Sequence, residues 1–174
     1  MDEKQRLNAL EIALNNEMKE REFYLKHAER TNNPVGKAMF KEIADDELEH
    51  YQRLKDLHEK WGKAEKWPET LPLKVKQTNI KDILKDTLKK VEEVPEADDD
   101  DLKAIAVAVD FEAKGAQSYK ELSDACTDQR EKAFFSLLAG IEREHYLSLK
   151  DTQEYLEDPE SWFTKAEHHG LDGA

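Results

Sequence analysis

Glu47 is followed three residues on by His50, and Glu142 by His145. At that spacing a carboxylate and an imidazole stand on adjacent turns of one helix face, a donor pair for a metal ion. Each pair sits among apolar residues at helical spacing: Phe40, Ile43, Ala44, Tyr51 and Leu54 around Glu47, and Phe135, Leu138, Ala139, Tyr146 and Leu149 around Glu142. The two glutamates therefore fall in the middle of a core-facing stripe. Glu17 lies in the same way between Leu10, Leu14 and Tyr24, and Glu112 between Ile105, Val109 and Tyr119.

Four carboxylates in one core repel each other, and without a counter-charge they take up protons. No matching set of buried Arg or Lys is available: Arg21 borders one stripe, but Ala116 stands at the equivalent place in the other. Two divalent cations solve the problem. Their charge of +4 balances the −4 of Glu17, Glu47, Glu112 and Glu142, and neutral His50 and His145 complete the shells. Oxygen donors with one nitrogen per ion suit iron or manganese, whereas zinc takes more nitrogen or sulfur. The residues therefore predict two divalent ions, iron or manganese in preference to zinc. Surface salt-bridge positions would not fall mid-stripe in four helices.

The elements that must position these residues come from a repeat. At a fixed offset of 95 residues Leu7 pairs with Leu102, Glu17 with Glu112, Tyr24 with Tyr119, Glu47 with Glu142 and His50 with His145. Between Lys37 and Asp56, eleven of twenty positions equal their partners, where ordinary residue usage gives about one. The chain is a duplicated helical hairpin. Helices are predicted from about Glu3 to Arg30, Lys37 to Lys60, Ala97 to Cys126 and Gln129 to Leu156, with "TNNPVG" as the first turn. "WGKAEKWPETLPLKVKQTN" reads as an extended crossover, followed by a short helix in "IKDILKDTLKKVEEV" capped by Thr78 or Asn79. "PEADDDD" is a turn or the acidic start of the next helix, with Pro95 at its first position. The fold class is all-α: a four-helix bundle over residues 1–158, with a C-terminal tail at 159–174 behind Asp158-Pro159.

Composition narrows the function. A net charge of −13 over 174 residues argues against nucleic acid or an anionic membrane as partner. Charged residues make up 39% of the chain, which favours helices. The single Cys126 fits a reducing cytoplasm and rules out a Cys-x-x-Cys zinc or iron site. The charged N-terminus lacks a signal-peptide core, and no apolar run reaches membrane-spanning length, so the expectation is a cytoplasmic protein. His168 and His169 read as a solvated pair near a terminus, and His27, His58 and Cys126 as ordinary structural residues. Trp162 and Phe163 are expected to dock the tail on the bundle or on a partner subunit.

The doubled patterns "ExxExxFY … FxxIAxxExEHY" and "ExxGxxSY … FxxLAxxEREHY" resemble the rubrerythrin branch of the ferritin-like di-iron proteins, over roughly Leu7 to Leu156. The resemblance implies that Glu17, Glu47, His50, Glu112, Glu142 and His145 are di-iron ligands. It also implies that Tyr24 and Tyr119 hydrogen-bond ligand carboxylates. Peroxidase-type members carry a further Glu three residues after the third-helix ligand, where this chain has Gly115. The mirror position in the first helix is Glu20, a candidate seventh ligand and proton donor. With Cys126 as its single cysteine, this sequence is not expected to carry the rubredoxin domain that feeds electrons to full-length members.

The function this implies is two-electron reduction of hydrogen peroxide, or reaction with dioxygen, using an external donor such as a rubredoxin. The alternative is iron or manganese handling by ferroxidation, delivery or sensing. A helical scaffold whose metal serves folding alone is the third reading. The long crossover would allow helix exchange between subunits, so a homodimer is expected.

Overall fold

A computed structural model describes residues 3–61, 78, 80–90 and 94–171. Those residues form six helices: α1 (Glu3–Arg30), α2 (Pro34–Trp61), α3 (Ile80–Lys90), α4 (Asp99–Ala125), α5 (Gln129–Glu157) and α6 (Pro159–Leu171). No strand occurs among the described residues. The short turns 31–33 and 126–128 fold α2 back along α1 and α5 back along α4, so each half of the repeat is a hairpin. The predicted crossover at 62–77, with Asn79, lies outside the described residues. The expected short helix is α3, which packs on α2 and α5. None of the helices is long and apolar enough to cross a membrane.

Two boundaries differ from the expectation, for one reason. "TNNPVG" reads as a turn, yet α2 begins at Pro34 and includes Val35 and Gly36. Asn33 caps it, its Oδ1 accepting from the amides of Val35 (3.0 Å) and Gly36 (3.1 Å). The stretch after Asp158 was expected as a tail but forms α6, with Pro159 at its first position and Asp158 Oδ1 accepting from the Ser161 amide at 3.0 Å. Proline lacks the N–H that a first helical turn leaves unbonded, so it starts a helix as readily as it ends one. Pro95, by contrast, is outside α4. Asp98 caps that helix in a reciprocal capping box with Asp101, and Asp99 to Asp101 supply its acidic first turn. Arg30 at the end of α1 pairs with Asp98 (3.1 Å) and with buried Asp101, tying the two hairpins together.

Trp162 anchors α6 on the bundle. It is buried, donates from Nε1 to Asp151 Oδ1 at 2.7 Å, and meets the Tyr155 ring edge-on. Phe163 packs edge-on against both rings yet stays half exposed. His168 and His169 lie in α6, but their side chains fall outside the described residues.

The core is cut in two by a polar layer. Tyr24, Phe40, Ile43, Ile105 and Leu149 belong to one apolar cluster, and Leu10, Leu54, Leu57, Phe134, Phe135 and Leu138 to the other. Along each of α1, α2, α4 and α5 the sequence passes from one cluster to the other through a buried Glu or Glu–His pair. The repeat imposes this: matched helices carry their acidic residues at matched heights.

Candidate metal centre

Glu17, Glu47, His50, Glu112, Glu142 and His145 are each at most 2% exposed. They meet as two groups of four: Glu17, Glu47, His50 and Glu142, and Glu47, Glu112, Glu142 and His145. Within each group the donor atoms lie within 4.8 Å of one another, and Glu47 and Glu142 belong to both. All six residues predicted from the repeat converge. The imidazole rings of His50 and His145 face each other with centroids 6.0 Å apart and planes 21° from parallel.

Ordinary hydrogen bonding does not account for this arrangement. His50 Nδ1 lies 3.0 Å from Glu47 Oε2, 3.1 Å from Glu142 Oε1 and 3.4 Å from Glu17 Oε2. One ring nitrogen carries at most one proton and cannot serve three carboxylates. Glu17 Oε2, Glu47 Oε1 and both Glu142 oxygens are buried without a hydrogen-bond partner. Orphaned buried acceptors are rare and costly, and a cation among them satisfies all at once. The donor set, carboxylates with one imidazole per group, fits iron or manganese.

Without a cation, protons take its place. Burial and the neighbouring Glu47 raise the pKa of Glu17, and burial with Glu47 and Glu112 raises that of Glu142 well above the carboxylate range. Burial alone would lower His50 and His145. The adjacent carboxylates, Glu47 for the first and Glu112 for the second, instead raise both well above the usual histidine value.

The remaining oxygens are held by hydroxyls. Tyr24 donates to Glu112 Oε1 and Tyr119 to Glu17 Oε1, so each tyrosine crosses from its own hairpin to the other. Burial, with Glu112 and Glu17 respectively, raises both phenols well above their ordinary pKa and keeps them donors. Tyr24 stacks on Phe40 and Tyr119 on Phe135, the same contact twice.

Asp46 touches the cluster although the sequence pattern does not single it out. Its Oδ2 lies 3.1 Å from His145 Nε2. A carboxylate only accepts, so Nε2 carries the proton and Nδ1 is turned toward Glu112 Oε2 (3.2 Å) and Glu47 Oε1 (3.5 Å). The signal was its place beside Glu47, but Ile141 stands at the matching site in the second half.

Glu20 lies outside both groups of four. It is half-buried and lines a cavity of about 550 Å³ with Glu17, Gly115, Tyr119 and Glu142. Burial first, then Glu47, Glu112 and Glu17, push its carboxyl up to about 9. Gly115 leaves room for Glu142: a Cβ there would stand 3.1 Å from Glu142 Oε2. His27, His58 and Cys126 are absent from both groups, and the Cys126 thiol donates to the Leu122 carbonyl.

No curated protein and no solved structure gives a match to this sequence. Among protein families, rubrerythrin matches residues 8–153, nearly the whole bundle. With the doubled Glu-x-x-His helices inside that span, the chain belongs to the rubrerythrin family.

Proposed function

We propose that the protein is a di-iron peroxide reductase, converting H₂O₂ with two protons and two electrons to two waters, the electrons coming from an external donor such as a rubredoxin. The observation that carries the reading is the sharing of Glu47 and Glu142 between two four-residue groups, the arrangement suited to bridging a pair of ions. Glu17 with His50, and Glu112 with His145, would hold the two ions terminally. When bound, the iron pair supplies two electrons and Lewis acidity for O–O cleavage.

The chain's own residues supply order and protons. Tyr119 fixes one oxygen of Glu17 and leaves Oε2 directed at the centre; Tyr24 does the same for Glu112. Asp46 fixes the His145 ring. Glu20, its carboxyl raised first of all by burial, borders the cavity beside Glu17 and would be the residue to protonate a leaving oxygen.

The test is metal analysis with optical spectra before and after one equivalent of peroxide. The expected result is two irons per chain, one round of oxidation, and no further consumption until a reductant is added. Peroxide consumption that continues without a donor would contradict the reading, and so would an iron content unchanged in Glu47→Ala.

A further inference from the structure

The seam between α1 and α4 carries small residues at four places, Ala9 and Ala13 on one helix and Gly115 and Ser118 on the other, among larger apolar and charged ones. Packed bundles usually interlock larger residues across such a seam. Here it holds the cavity of about 550 Å³. It opens to solvent beside Ile12, and its volume falls in the range of small-molecule clefts, roughly 300–1,000 Å³.

The two ends of the cavity differ in chemistry. Its floor is Glu17, Tyr119 and Glu142, all buried. Its wall is Ala13, Phe111 and Leu122, with Ile12, 60% exposed, at the mouth. Hydrogen peroxide needs about the space of two waters, roughly 60 Å³, and has no use for an apolar wall. Gly115 joins the two ends. Any side chain there would press on Glu142, whose Oε2 is 3.1 Å from the Cβ position, and would narrow the passage.

We infer that this seam binds organic hydroperoxides, R–O–O–H, with the peroxide at the Glu17–Glu142 floor and an apolar R group along Ala13, Phe111, Leu122 and Ile12. The inference rests on the peroxide-reducing reading above and names its substrate class. R–O–O–H, two protons and two electrons give R–OH and water: the O–O bond breaks, two O–H bonds form, and the external one-electron donor already invoked supplies the electrons. The R group takes no part in the chemistry and contributes binding alone.

The test compares cumene hydroperoxide with hydrogen peroxide on chemically reduced, iron-loaded protein, with oxidation followed by stopped-flow absorbance. Burial of the phenyl group should let the organic peroxide half-saturate the reaction at a roughly tenfold or lower concentration. In Ala13→Trp, which fills the wall, the preference for cumene hydroperoxide should fall about tenfold. A second readout needs no turnover. The product alcohol, 2-phenyl-2-propanol, should shift the NMR resonances of Ile12 and Gly115 in zinc-loaded wild-type protein, and this also decides the matter if Ala13→Trp fails to fold. Reaction with neither peroxide overturns both readings. Reaction with hydrogen peroxide but no preference for the organic peroxide and no alcohol shift overturns this one alone. So does an Ala13→Trp protein that changes oligomeric state while keeping the preference, since the seam would then be a subunit contact.

Discussion

Asp46 on α2 holds His145 on α5 by its outer nitrogen, with 3.1 Å between Oδ2 and Nε2. Burial would raise the Asp46 pKa, yet hydrogen bonds from His145 and Thr78 hold it below its ordinary value, so the acceptor is ionised. The contact fixes which nitrogen faces the centre and makes that nitrogen a better donor. Asp46→Ala should therefore weaken metal binding by roughly 10–100-fold while leaving the helical content unchanged. Competition titration against a chelator measures this. Affinity equal to wild type would mean that the His145 ring is held by packing alone.

The crossed tyrosines give a second expectation. Tyr119→Phe removes the donor to buried Glu17 Oε1, and Tyr24→Phe the donor to buried Glu112 Oε1. An acceptor left unsatisfied in the core costs about 1–3 kcal/mol. Because the contacts are equivalent by the repeat, both variants should lose stability in urea by similar amounts. A loss confined to one of them would show that only one hydroxyl is bound in solution.

How much of this was legible beforehand depends on symmetry. The six acidic and imidazole residues and both tyrosines were readable because each appears twice at the same offset, and chance rarely repeats a buried charge. Asp46 has Ile141 as its counterpart, and one turn-step from Glu47 it looks like a residue off the stripe. Only the approach of α5 gives it a partner. Glu20 was visible by contrast with Gly115, but its position outside both groups of four depends on where the side chain runs, which no spacing rule specifies. At Pro34 and Pro159 the proline suggests an end, whereas in the structure each begins a helix. Asn33 and Asp158, both good caps immediately before it, were the correcting signal.

The helix α6 gives a third expectation. Trp162 is 8% exposed and bonded to Asp151, and with Tyr155 it continues one apolar cluster of the bundle. Trp162→Ala should cost roughly 3 kcal/mol, near the low end for a buried tryptophan. α6 carries none of the six clustered residues, so metal content should stay the same. Thermal melts and metal analysis of one preparation test both halves. A variant that loses metal in proportion to stability would make α6 part of the site's support.

The last expectation concerns the protein stripped of metal. Glu17 and Glu142 are raised by burial and by each other's neighbours, and Glu20 is pushed up to about 9. His50 and His145 are raised well above their ordinary value by the surrounding carboxylates, against the effect of burial. All five bind protons more tightly folded than unfolded. Each therefore stabilises the fold fully below its unfolded pKa, 4.5 for the glutamates and 6.5 for the histidines, and less as pH rises toward the folded value. Glu47 acts the other way. The two histidines hold it below its ordinary range despite burial, so its contribution is present above 4.5 and lost only in stronger acid. Asp46, held low by His145 and Thr78, acts as Glu47 does. With five groups against these two, the melting temperature of the metal-free protein should be highest near about pH 5 and fall toward about pH 9. Added iron(II), or zinc as an inert substitute, displaces those protons, so the stabilisation it confers should grow with pH. Loading in weak buffer at neutral pH should also acidify the solution, with Glu17, Glu142, His50 and His145 as the proton sources. An indicator dye records the release. A flat melting profile and no acidification would mean that the layer holds no protons for a cation to replace.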